Sequence, residues 1–182
     1  MVVAAASEAA APRGIGDMGL GRIVRHLLMT PWRLRRAFPR ATLQAIEREI
    51  AASRKLHVAE IRFVVEGALH GARLYRGQSA RERALEVFSL LRMWDTEHRN
   101  GVLIYLLLAD RAVEIVADRG AHVRVGSVEW ESACRAMERA FRAGQFESGA
   151  IGGIQAVARH LASHFPARSG GAHELPDSPV IL

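Results

Sequence analysis

Residues 101–120 read GVLIYLLLADRAVEIVADRG, and this stretch decides the fold. Its first part is apolar at every position, as expected for a central strand covered by helices on both faces. A polar turn follows at Asp110 and Arg111, and a second apolar run leads to Gly120. Because so short a connection returns the chain directly, the two strands are predicted to form an antiparallel pair.

A third strand is predicted upstream, at residues 60–66 (EIRFVVE), where β-branched and apolar residues cluster. Ser79 and Glu82 form a capping box that opens a helix between this strand and residues 102–108. Because a helix joins them, these two strands are predicted to be parallel, with a right-handed crossover. Residues 122–125 alternate in polarity and are predicted to add a short edge strand.

The order of elements predicts the fold class α/β: a three-layer α/β/α sandwich on a small mixed sheet. The first two strands are parallel and the third is antiparallel. One helix is predicted near residues 39–53, and two more close the domain before Pro166. We expect the domain at residues 30–166. Residues 1–29 are predicted to be a flexible tail that can form a short amphipathic helix, and residues 167–182 a second flexible tail.

The composition of the chain limits the partners and the cellular compartment that we expect. The 182 residues have a net charge of +6, but Lys55 is the only lysine and acidic residues are interleaved with the arginines. A nucleic-acid partner is therefore not expected. Cys134 is the only cysteine, so no intrachain disulfide can form. No apolar run is long enough to span a bilayer and no signal peptide is evident, so we expect a cytoplasmic protein without a transmembrane segment.

The stretch from Arg22 to Arg40 mixes six arginines with apolar residues and Trp32. Such a mixture is typical of a segment that lies on an anionic membrane. The alternatives are an arm that packs on its own domain and a segment that binds an unknown protein partner.

The strand directions predict two candidate sites. Asn100 and Asp118 should meet at one end of the sheet, with Asp95 and Glu97 in the loop before them. Carboxylate and amide oxygens at a loop-rich end suit Ca²⁺ or another divalent cation. Other polar residues gather at the opposite end, where open α/β sheets often bind ligands: Glu66, Asp110 and Arg111. The alternative at both ends is ordinary turn chemistry.

No nucleotide cofactor is predicted. A GxGxxG match begins at Gly14, but it follows no strand, so the backbone cradle for a pyrophosphate is not formed.

The hairpin of residues 101–120, the polar loop ending at Asn100 and the two closing helices resemble the TPM domain family. That family includes a thylakoid-lumen protein of photosystem II repair and many bacterial proteins. The resemblance implies the same sandwich fold. It also implies a cation site in the loops at Asn100 and Asp118, with Asp95 and Glu97 as additions. Many members have an aspartate where Arg99 stands, and many have a signal peptide and a membrane anchor. Neither a signal peptide nor a membrane anchor is evident in this sequence, so it resembles a cytoplasmic bacterial branch of the family.

Members of the family have been linked to acid phosphatase activity, to calcium binding and to the assembly or repair of membrane complexes, so the resemblance and the residues together imply two functions. The first is a non-enzymatic accessory module, with a cation site, that docks on a protein or membrane complex through residues 22–40. The alternative is a metal-dependent acid phosphatase acting on phosphomonoesters, with Arg99, Arg111 or Arg119 holding phosphate. Catalytic residues are not evident from the sequence.

Overall fold

A computed structural model describes residues 3–5, 19–167 and 174–182 of the chain. In chain order the elements are β1 (Val3–Ala5), α1 (Leu20–Leu27), α2 (Pro31–Ala37), α3 (Arg40–Ser53), β2 (Glu60–Glu66), α4 (Ala72–Tyr75), α5 (Ala80–Leu90), β3 (Gly101–Leu107), β4 (Ala112–Ala117), α6 (Arg119–Val125), α7 (Ser127–Arg142), α8 (Phe146–His164) and β5 (Val180–Ile181).

The sheet has the strand order β1-β4-β3-β2-β5. Strands β2 and β3 are parallel, with Glu60 opposite Gly101. Strand β4 returns antiparallel to β3, with Val102 opposite Ala117. Helix α5 lies between β2 and β3 in the chain and begins at the predicted capping box of Ser79 and Glu82. The predicted parallel pair and antiparallel pair are both confirmed.

Side chains of the sheet alternate between two hydrophobic layers, as the period of a strand requires. Phe63, Ile104 and Ile115 face a core formed with α3, α7 and α8. Val64, Leu103 and Val116 face the opposite way, against α4 and α5. Helices therefore cover both faces of the sheet, and the predicted α/β/α sandwich is confirmed.

The predicted edge strand at residues 122–125 is wrong, because these residues lie in helix α6. The Asp118 side chain caps this helix by accepting a hydrogen bond from the Arg119 N–H at 2.6 Å. Gly126, at φ +97°, ends it in a conformation that glycine adopts without strain. Alternating polarity over only four residues is weaker evidence for a strand than the cap at Asp118 and the glycine at residue 126 are for a helix.

The neighbour of β4 is instead β1, which pairs with it in antiparallel register. At the other side of the sheet, β5 pairs in parallel with β2. Residues 174–182 follow β2 closely: Glu60 accepts a hydrogen bond from the Glu174 N–H (2.9 Å) and Arg62 donates to the Pro176 carbonyl (2.6 Å).

The segments predicted as flexible tails thus contribute to the fold where the structure describes them. Part of residues 1–29 forms β1 and α1, and part of residues 167–182 forms β5. Backbone pairing with β4 and β2 holds the two terminal strands, and composition alone does not indicate such pairing. The rest of these predictions, at residues 1–2, 6–18 and 168–173, lies outside the described residues.

Candidate functional site

The predicted cation edge lies where β3 begins and β4 ends. The Asp118 N–H donates to the Gly101 carbonyl at 2.8 Å, so Asn100 and Asp118 are held side by side by the strand register. Both side chains are buried. Asp95 and Glu97, in the preceding loop, are exposed. The backbone therefore brings two of the four predicted ligands together.

These two side chains already have protein partners. The Asn100 Nδ2 donates to the Val58 carbonyl at 2.9 Å, and an oxygen of Asp118 caps α6. Ca²⁺ takes about six to eight oxygens. Within residues 3–5, 19–167 and 174–182, no three Asp, Glu, His or Cys side chains gather in a way that holds a metal ion. The described side chains alone fall short of a calcium site, and cation binding at this edge stays a prediction.

The phosphatase alternative finds little support in the same part of the chain. A metal-dependent phosphatase gathers carboxylates and histidines to activate water, and the described residues contain no such group. The thiol of Cys134 is buried, and burial raises its pKa well above the ordinary range, so it is not a ready nucleophile.

At the opposite end of the sheet, Glu66 belongs to a buried network. Its Oε2 accepts hydrogen bonds from Arg83 Nε (2.8 Å) and from the Tyr105 hydroxyl (2.9 Å). Burial, together with the neighbouring Glu66 charge, raises the pKa of Tyr105 far above its usual value, so the hydroxyl keeps its proton. This network joins β2, β3 and α5, and Glu66 is committed to it.

Asp110, in the turn between β3 and β4, holds helix α1 on the domain. Its carboxylate lies 3.0 Å from Arg22 Nε and 3.1 Å from His26 Nε2. His26 is 1% exposed, and its Nδ1 accepts a hydrogen bond from the Leu69 N–H at 2.9 Å. Burial by itself would raise the pKa of Asp110, but the hydrogen bond from His26 and the charge of Arg22 outweigh it and lower the pKa.

Helix α1 consequently turns a polar side toward the protein and an apolar side outward. Ile23 packs on the core under α5, and the helix makes polar contacts with Asp110, Gln78 and Leu69 on its inward side. Soluble helices normally show the reverse arrangement. The outward residues recur at helical spacing and are exposed, from 48% for Val24 to 80% for Leu20: Leu20, Val24, Leu27 and Leu28. We call these four residues the leucine stripe.

The apolar surface continues into α2 and is joined there by positive charge. Trp32 is 65% exposed, and the Arg36 guanidinium lies over its ring at 5.5 Å from the centroid. The chain has 25 basic and 19 acidic residues. Six of the arginines and none of the acidic residues fall within residues 19–46, which leaves 19 of each sign in the rest of the chain. The whole formal net charge of +6 is therefore concentrated beside the leucine stripe.

Comparison with known proteins identifies the family of the chain. The model of the TPM domain matches residues 35–160. The chain belongs to the TPM domain family. Among solved structures, it is similar to the BA42 protein of the psychrophilic bacterium Bizionia argentinensis, with 29% identity and a TM-score of 0.69. The match covers 78% of this chain and 92% of that protein. A search of curated proteins gave no match.

The TPM match begins within α2, so helix α1 and its leucine stripe lie before the matched residues. Sequence analysis found the basic apolar arm but missed its orientation. The spacing of Leu20, Val24, Leu27 and Leu28 is a signal for one apolar face. Nothing in the sequence links this helix to Asp110, which lies 88 residues from Arg22. No helix in the described part of the chain is long and apolar enough to cross a membrane.

Proposed function

We propose that this TPM-domain protein is a non-enzymatic accessory module that docks on an anionic membrane surface. The observation that supports the proposal is helix α1, which is held with its leucine stripe outward by the contacts of Arg22 and His26 with Asp110. Apolar patches of this kind on an otherwise polar surface usually mark an interaction site. We propose that the docking takes place from the cytoplasm.

The charge beside the stripe favours lipid over protein as the partner. The arginines of α2 and the start of α3 are exposed and make no ion pair with a described residue: Arg33, Arg35, Arg36 and Arg40. A basic residue near an anionic bilayer contributes about 1 kcal/mol, and apolar side chains beside it enter the headgroup boundary. Trp32, with an apolar body and a polar N–H, suits the same interface.

Vesicle flotation tests this proposal. We expect the full chain to float with vesicles that contain anionic lipid, and to release them as salt is raised, because salt screens exposed charges. Zwitterionic vesicles should retain little protein. Association with neither kind of vesicle would overturn membrane docking and leave a protein surface as the partner to be sought.

Two pairs of variants separate the apolar and basic contributions. Leu27→Ser with Leu28→Ser should abolish flotation, while Leu90→Ser with Val128→Ser, which alters two equally exposed residues elsewhere, should not. Arg33→Gln with Arg36→Gln should weaken binding by about 30-fold, from about 1 kcal/mol for each charge. Arg76→Gln with Arg139→Gln changes the net charge equally and serves as its control. Equal losses in the two arginine pairs would reduce the basic contribution to net charge alone. Equal losses in the two apolar pairs would refute the leucine stripe as the contact.

A further inference from the structure

A separate cavity opens at the carboxyl end of strand β2. Its volume is about 650 Å³, within the range of small-molecule sites. Gly67 and Ala68 follow β2 directly and form its floor, and helix α2 with the start of α3 forms one wall. Ile181 and Leu182 of the last strand complete the lining. The carboxyl ends of parallel strands are where open α/β sheets commonly bind ligands.

The walls of this cavity are hydrocarbon. Phe38 is buried, and three further apolar side chains are half-buried around it: Met29, Leu34 and Leu43. Thr30 also lines the cavity, but its Oγ1 accepts a hydrogen bond from the Arg33 N–H and caps α2. The O–H of Thr30 is the one side-chain donor among these wall residues, so the walls offer little to a polar group in the middle of a ligand.

The polar lining residues are otherwise basic. Arg35, Arg40 and His70 are exposed side chains that line the cavity, and none forms an ion pair or a side-chain hydrogen bond with a described residue. No lining side chain in the described part of the chain is acidic. A ligand complementary to this cavity has an unbranched apolar body and one anionic end.

We propose that the cavity binds a long-chain fatty acid, with its carboxylate at Arg35 and Arg40 and its hydrocarbon chain against Phe38. A guanidinium binds a carboxylate through two parallel N–H donors, which gives this contact direction as well as charge. Each CH₂ of the ligand that is buried against these walls adds to the affinity, because apolar surface is removed from water. Arg35 and Arg40 also belong to the basic part of the docking surface, but the leucine stripe is absent from the lining of the cavity, so variants of the stripe and of the cavity wall separate the two proposals.

Fluorescence titration of the delipidated full chain with cis-parinaric acid, an unbranched fluorescent fatty acid, tests the proposal. We expect saturable binding of one ligand per chain. Oleate should displace the probe, and methyl oleate, which lacks the carboxylate, should compete at least tenfold less well. Absence of saturable binding, or equal competition by the ester, would overturn the proposal.

Variants locate the site within the protein. Arg35→Gln with Arg40→Gln should weaken parinarate binding at least tenfold, whereas Arg33→Gln with Arg36→Gln removes the same charge outside the lining and should have little effect. An equal loss in both pairs would refute a carboxylate contact at the cavity. Leu43→Phe, which keeps the charge and fills the space, should also weaken binding. Normal parinarate affinity in this variant would place the ligand elsewhere.

The two proposals fail independently. Leu27→Ser with Leu28→Ser should lose vesicle binding and keep parinarate binding. Leu43→Phe should show the opposite pattern. Loss of both activities in both variants, with intact circular dichroism, would refute the separation of the cavity from the docking surface.

Discussion

Substitution of Asp110 tests whether one carboxylate sets the orientation of helix α1. Asp110→Ala removes the partner of Arg22 at 3.0 Å and of His26 at 3.1 Å, while Arg25, at 3.5 Å, is largely exposed. The core of the sheet is untouched, because Asp110 lies in the turn after β3. We therefore expect α1 to leave the domain while the sandwich stays folded.

The free energy lost on substitution of Asp110 can be worked out from its contacts with Arg22 and His26. A hydrogen bond to a charged group contributes about 1.5–3 kcal/mol when shielded, and an exposed ion pair contributes almost nothing. Arg22 keeps 21% of its side chain exposed, which reduces its contribution, and Ile23 still packs on the core in the variant. We expect the docking of α1 to weaken by about 2–3 kcal/mol, which is about 30- to 150-fold in the equilibrium between docked and undocked helix.

Hydrogen exchange measured by mass spectrometry checks this value. Peptides covering α1 should lose protection by that factor in Asp110→Ala, while peptides of α8 keep theirs. Asp95→Ala removes a carboxylate from an exposed loop position and serves as the matched control. Unchanged protection of α1, or an equal loss throughout the chain, would refute the assignment of Asp110 as the residue that holds the helix.

The same contact predicts a pH dependence. The pKa of Asp110 is lowered in the folded protein. Its contribution is therefore complete above the ordinary carboxylate range and is lost as the pH falls through the lowered folded value. Protection of α1 should decrease in acid before the core unfolds, and Asp110→Ala should remove that step.

Three further predictions concern single residues. Burial raises the pKa of Glu114 to about 7, so the free energy of unfolding should fall as the pH rises from the unfolded carboxyl range through 7. In urea unfolding, Glu114→Gln should therefore be more stable than the unmodified protein by roughly 1–3 kcal/mol at about pH 8 and by little at about pH 5. Tyr105→Phe removes a buried hydroxyl bonded to Glu66 and should cost about 1–2 kcal/mol, and an unchanged urea midpoint would show that the network is not stabilising. Arg99 has φ +48°, a conformation that Asp and Asn tolerate well. In calorimetry, Arg99→Asp should bind calcium about tenfold more tightly than Arg99→Asn, and equal affinities would refute a cation site at this edge.

The central part of the fold could be predicted because its evidence is local. The apolar run at residues 102–108, the turn at Asp110 and the capping box at Ser79 each determine their own segment, and topology rules assemble them. The register then brings Asn100 and Asp118 together without further information.

The orientation of helix α1 and the cavity could not be predicted, because they depend on contacts between distant residues. His26 reads as one polar position in a basic arm until the fold brings Asp110 beside it. The cavity needs residues from α2, from the turn after β2 and from the last strand at once. Terminal strands β1 and β5 are similarly short, so their composition does not distinguish them from tails.

Those two terminal strands have a practical consequence for work on the isolated domain. Each lies beside a strand whose described residues are nearly all buried, β4 on one side of the sheet and β2 on the other. A chain trimmed to residues 30–166, the domain predicted from the sequence, would lack β1 and β5 and leave β4 and β2 with unpaired N–H and C=O groups. Bare apolar edges are templates for pairing between molecules. The trimmed domain should therefore aggregate through the exposed edges of β4 and β2. In the full chain, β1 and β5 cover these edges and prevent that self-association.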